Sequence, residues 1–159
     1  MNRFSLARAI KICITIVGIL GLVFFIGVVP NIGLDILISL ERVSKCFYPW
    51  LFLIWSVAIP CYYILVLGWK LTNSLEKGQP FTHKNADIFK KMAYLGFIDS
   101  MFFICMNIIY LLIGMNHIGV VLISVGIGFI LSILSICALI FSYLFHRAAD
   151  LQEQSDLTI

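Results

Sequence analysis

Charged positions divide the chain into long stretches that carry no charge. Residues 12–34 form a run of 23 uncharged residues, 46–69 a run of 24, and 100–146 a run of 47. A helix crosses a hydrocarbon core of ~30 Å with ~20 apolar residues, so the first two runs each allow one crossing and the third allows two. The pattern predicts spans at about 10–29, 47–69, 92–114 and 118–145. Backbone groups in lipid must hydrogen-bond within their own segment, and these runs are too long for barrel strands. The predicted fold is therefore all-α, a polytopic four-transmembrane-helix bundle making a single transmembrane domain over 1–159, with the lipid bilayer as its solvent.

Composition sharpens this picture. Apolar residues make up 62% of the chain and charged residues 12%, with a mean hydropathy of +1.06. A soluble domain carries about 25% charged residues, so half the charge needed for a water-facing surface is missing. The apolar run after Arg3, Arg8 and Lys11 is longer than the ~7–15 residues of a cleavable signal, and no Ala-x-Ala follows, so it reads as a retained anchor. Placing the N-terminus inside puts nine Lys and Arg on the inner side (3, 8, 11, 70, 77, 84, 90, 91 and 147) and two, Arg42 and Lys45, outside. The positive-inside bias then predicts both termini in the cytoplasm. The basic residues are scattered and the net charge is only +3, which gives no footprint for direct nucleic-acid binding.

The connecting segments carry their own signals. Across the outer loop, 30–46, Ile36, Leu37, Leu40 and Val43 share a helical face away from Asp35, Arg42 and Lys45, the pattern of an amphipathic helix on a membrane surface. In the cytoplasmic loop, 70–91, Gly78-Gln79-Pro80 ends the second helix. Thr82 is placed to N-cap the third, and Asn85 at its third position could reach back to Thr82 as a weak capping box. Helix three would then project two turns beyond the membrane. A cytoplasmic tail, 146–159, follows the fourth span. Along that span Ser124, Gly128, Ser132, Ser135, Ala138 and Ser142 form a stripe of small residues, suited to close helix contact either inside the bundle or across a homo-oligomer seam.

Asp99 is the one ionisable residue inside a span, ~10 Å along the third helix from its inner end at ~1.5 Å per residue. Thr15, Tyr62, Tyr63 and Ser142 lie at comparable depth and could satisfy it as a hydroxyl cluster, a structural role set against a proton or cation site. Enzyme chemistry finds little to work with. There is one intramembrane carboxylate where a dyad needs two. His83, His117 and His146 are divided between the two faces and cannot gather one metal. The five cysteines form no Cys-x-x-Cys pair, and no phosphate loop is present, so no cofactor is expected and the chain reads as a non-enzyme.

Two segments carry a resemblance. Gly78-Gln79-Pro80-Phe81-Thr82-His83-Lys84-Asn85 resembles the Gly-x-Pro-Phe-Ser/Thr-x-x-Asn signature of the bacterial domain-of-unknown-function family 2975. The tail from Ala149 to Ile159 is similar to that family's Glu-Glu-Asn-Asp-Leu-Thr-Ile/Val ending, departing from it at Gln154-Ser155. Asp99 has no place in the family pattern. The resemblance implies a small four-helix plasma-membrane protein without established activity, often encoded beside a small helix-turn-helix transcription regulator. It makes that regulator the expected partner. The surface expected to meet it comprises Phe81, Thr82 and Asn85 of the loop with Asp150, Glu153, Asp156, Leu157 and Ile159 of the tail. The competing expectation is a small transporter or immunity-type protein that uses Asp99, and for the tail a frayed helix end.

Overall fold

A computed structural model describes residues 3–31, 34 and 44–156. Helix α1 (Arg3–Leu22) runs into a π-helical segment, Val23–Val28; α2 is Ser44–Glu76, α3 is His83–Leu112 and α4 is Ile118–Asp156. All four helical segments are long and apolar enough to cross a membrane. Residues 32–33 and 35–43 of the expected outer amphipathic segment, and Leu157 and Ile159 of the tail, lie outside the described residues.

The helices outrun the predicted spans. At ~1.5 Å per residue, the 39 residues of α4 reach ~58 Å, nearly twice the hydrocarbon thickness. The extension beyond position 145 contains Ala148, Ala149, Leu151, Gln152 and Glu153, all good helix formers, and no Gly or Pro to stop it. The tail is thus helical to Asp156 instead of fraying after the span.

Side chains are distributed for lipid. Large apolar groups such as Phe52, Ile59, Ile98, Leu122 and Phe129 are exposed, whereas Ser100, Asn107 and Ser124 are fully buried. Small and polar residues therefore take much of the helix contact, with Leu53 and Leu67 buried beside them, as expected where lipid tails remove any hydrophobic drive between helices. The small-residue stripe of α4 faces α3 within the chain. Ser100 Oγ donates to the Gly128 carbonyl at 2.8 Å and lies 3.2 Å from Ser132 Oγ, and Ser142 Oγ donates to the Ala86 carbonyl at 2.8 Å. Of the two uses the sequence allowed for this stripe, internal packing is the one it serves here.

Helices adjacent in sequence are adjacent in space: α1 packs on α2, α2 on α3, and α3 most extensively on α4. Along α1, Tyr62 Oη donates to the Gly18 carbonyl at 2.9 Å and the Trp55 indole to the Phe25 carbonyl at 3.1 Å. Lys11 pairs with Glu76 at 2.6 Å and sits over the Trp69 ring.

Two turns of the same design close the hairpins. Gly78 (φ +74°) and Gly114 (φ +78°) take the left-handed conformation that a side chain resists. In the first, Gly78 N–H bonds Leu75 O and Gln79 N–H bonds Ser74 O. The second repeats this with Gly114 to Leu111 and Met115 to Tyr110, so both are Schellman endings. At the second turn buried Asn107 accepts from Asn116 Nδ2 at 2.9 Å, and Tyr110 Oη donates to the Pro49 carbonyl at 3.0 Å.

Candidate functional site

Asp99 is buried at 5% exposure on the face of α3 that meets α2. Its partner is the Cys61 thiol, 3.7 Å from Oδ2. Cys61 directly follows Pro60, which lies inside α2. The hydroxyl cluster expected around this carboxyl does not assemble. Tyr62 is engaged with Gly18, Ser142 with Ala86, and Thr15 with the Lys11 carbonyl at 2.9 Å, while Tyr63 is 49% exposed. The physical reason is local. A hydroxyl in an apolar setting takes the nearest backbone carbonyl, on its own previous turn or on the helix it touches. Ser142 lies far along the helix pair from Asp99, its partner Ala86 standing 13 residues, ~20 Å of helix, away.

The Gly78–Asn85 segment is a connector in which each motif residue has a mechanical part. Gly78 ends α2, and Phe81 packs its ring 5.3 Å from that of Phe145 on α4. Thr82 N-caps α3, its Oγ1 accepting from the Asn85 N–H at 3.3 Å as the sequence predicts. The Asn85 amide does not return to Thr82. Its Nδ2 lies 2.8 Å from Ser74 Oγ, 3.1 Å from the Gln79 carbonyl and 2.8 Å from the Pro80 carbonyl. With the side chain tucked inward, the amide finds the carbonyls of the preceding turn closer than its own cap. Asn85 is buried at 3% exposure, so it shapes the loop from within rather than offering itself to a partner.

Beyond this connector, the first turns of α3 and the last turns of α4 continue as a pair. Ala86 and Ala149 are buried along the pair, and Phe89 packs against Phe141 and Phe145. On its outer surface His83 and His146 meet with Nδ1 atoms 3.1 Å apart. The Nε2 of His83 faces Asp150 at 3.5 Å and Glu153 at 3.7 Å; that of His146 faces Asp87 at 3.4 Å. Sequence reasoning puts His83 and His146 on one face and His117 on the other, but not this pairing, which needs the register of two helices between positions 63 residues apart. The signal was present in the overhang of α3, which already placed His83 and the start of the tail at one end of the bundle. Asp150 and Glu153 side chains are 58% and 71% exposed, and Asp156 ends α4. At the same end lies an apolar cavity of about 280 Å³, bounded by Ile10 and Ile14 of α1, Leu71 and Leu75 of α2, Phe89 and Phe145.

The arrangement offers a charged, exposed end of the α3–α4 pair. The protein described as "Uncharacterized membrane protein YoaS" of Bacillus subtilis (strain 168) is 25% identical over 161 residues, spanning all of both chains. No solved structure matches. The profile of the family described as "Protein of unknown function (DUF2975)" matches residues 39–159, which take in the connector, α2 to α4 and the tail. The chain belongs to that family of membrane proteins of unknown function.

Proposed function

We propose that this membrane protein is non-enzymatic and regulatory, and that it works by presenting the paired ends of α3 and α4 to a partner in the cytoplasm. The observation that carries the reading is the helical continuation of α4 to Asp156, which holds Asp150 and Glu153 exposed on a rigid support. A preformed helix surface is recognised at a lower ordering cost than a disordered tail. The inner location is supported by the nine-to-two division of Lys and Arg, which favours cytoplasmic termini. The partner implied by the family resemblance is a small helix-turn-helix regulator, whose basic DNA-binding face complements the acidic end of α4. Phe81, Thr82 and Asn85 then act as the mount of this surface.

Deleting residues 150–159 and measuring how much of the neighbouring regulator co-sediments with membranes tests the proposal. Capture is expected to be lost, and undiminished capture would sink it. A transport or immunity-type role through Asp99 has weaker support, because the hydroxyls that would line a polar path are engaged elsewhere.

A further inference from the structure

The helix contacts leave one corner of the molecule open. Among the described residues α1 packs on α2 and makes no packing contact with α3 or α4. At the connector end the space left between them is the cavity of about 280 Å³, lined by Ile10 and Ile14 of α1, Leu71 of α2, and Phe89 and Phe145 of α3 and α4. The aromatic side is firm, since the Phe89 and Phe145 rings pack with centres 4.9 Å apart. Voids much larger than a water molecule are few in close-packed proteins, so a gap of this size calls for an occupant.

Its position and size describe that occupant. Ile14 and Gly68 lie on the apolar side of Lys11 and Lys70, the basic residues that close the first two spans, while Leu75 and Asn85 lie on the connector side. The cavity therefore crosses the boundary between hydrocarbon and headgroups, as an amphiphile does. An apolar cavity of ~150 Å³ takes up benzene, so this one has room for on the order of ten chain carbons.

One polar atom on the wall lacks a partner. Asn85 lines the cavity and is only 3% exposed. Its Nδ2 is taken by Ser74 Oγ and by the Gln79 and Pro80 carbonyls, and two carbonyl partners fix which end of the amide is nitrogen. Among the described residues nothing donates to Oδ1, yet no fully enclosed side-chain N or O atom is left without a hydrogen bond. Oδ1 is therefore reachable, and the cavity is the way to it. The Thr72 hydroxyl on the same wall already donates to the Gly68 carbonyl at 2.9 Å. No charged side chain lines the described wall, and Lys11, next to Ile10, is neutralised by Glu76 at 2.6 Å. The site asks for an apolar chain with an uncharged head that donates a hydrogen bond.

We propose that this cavity is a binding site for a single-chain lipid ended by a hydroxyl, the chemistry of a long-chain alcohol or a monoacylglycerol. The chain lies among Ile14, Leu71, Phe89 and Phe145, and the hydroxyl donates to Asn85 Oδ1. A phospholipid tail fits less well, because its ester groups only accept hydrogen bonds and its phosphate meets no free cation on this wall. The site owes nothing to the partner surface on the exposed side of the α3–α4 pair, so either reading can fail alone.

The test uses the full chain in nanodiscs of dioleoyl phosphatidylcholine and an oleyl alcohol carrying a photoactivatable diazirine in mid-chain. Adducts are expected to concentrate on peptides holding residues 10–14 and 71–75, above the level at lipid-facing Ile59 and Leu122. Unlabelled oleyl alcohol is expected to compete, and its methyl ether, with the same chain and no donor, to need about tenfold more, the worth of one hydrogen bond. Ile14→Trp, which fills the cavity, is expected to lose the focused adducts and keep those at Ile59 and Leu122. The alcohol–ether comparison needs no variant and decides the matter if Ile14→Trp does not fold. Adducts spread evenly over the lipid-facing surface overturn the proposal. So does equal competition by the alcohol, the ether and dioleoyl phosphatidylglycerol, which would make the cavity a berth for any chain.

Discussion

At the scale of single residues, tolerance is lowest where two backbones meet. A Cβ on Gly128 would run into the Ile104 side chain, with Cγ1 at 2.7 Å, and crowd Ser100 Oγ at 3.2 Å. Ile104 can yield somewhat to one methyl group but not to a branched side chain. Gly128→Val is expected to cost about 1–3 kcal/mol through overpacking, read as a fall in the unfolding temperature of the detergent-solubilised protein. The neighbouring Gly126 meets nothing within 4 Å, so Gly126→Val is the matched control and is expected to change little. Residue spacing made the Gly128 stripe visible beforehand, because a 100° step needs only the sequence. The surroundings of Asp99 were not visible in this way. Periodicity says which residues share a face but not which helix that face meets, nor that each hydroxyl has a closer carbonyl to bond.

Elements are joined by the connector between α2 and α3, and there one amide does the work of a longer loop. Asn85→Ala removes the contacts of a buried amide to Ser74, Gln79 and Pro80, and of these the Gln79 carbonyl keeps Ser74 Oγ as a donor. A loss of this kind costs about 1–3 kcal/mol. The connector is expected to open more often, so trypsin should cut after exposed Lys77 faster in this variant than in the parent, at equal protease and detergent. Equal rates would show that Gly78 and Thr82 hold the turn by themselves. The punctuation of this segment was open to sequence reading, since a glycine stop and a threonine start act within one turn. The target of the amide was not, because it depends on how the chain folds back between the two.

For the whole molecule, the charge count remains the guide to orientation, and it has a direct check. A green fluorescent protein fused after residue 159 is expected to fluoresce and an alkaline phosphatase at the same place to stay inactive, as for a cytoplasmic C-terminus. The reverse pattern would turn the molecule over and remove the proposed partner surface from the cytoplasm. The number and type of spans followed from hydropathy because the bilayer imposes one strong length constraint. The extra length of α4 did not, because water accepts a helix or a coil equally well and packing against α3 decides between them.

The neighbour-on-neighbour arrangement of the helices also bears on how the protein is made. Among the described residues each helix interface joins segments that leave the ribosome one after the other, so these contacts can form as soon as the second member is inserted. No early helix has to wait, exposed in the bilayer, for a distant one to arrive. Assembly can follow the order of translation, and the loop-closure entropy that slows folds with long-range pairing is small at every step. α4 joins α3 through the most extensive interface among the described residues, and it is the same helix that carries the exposed Asp150 and Glu153.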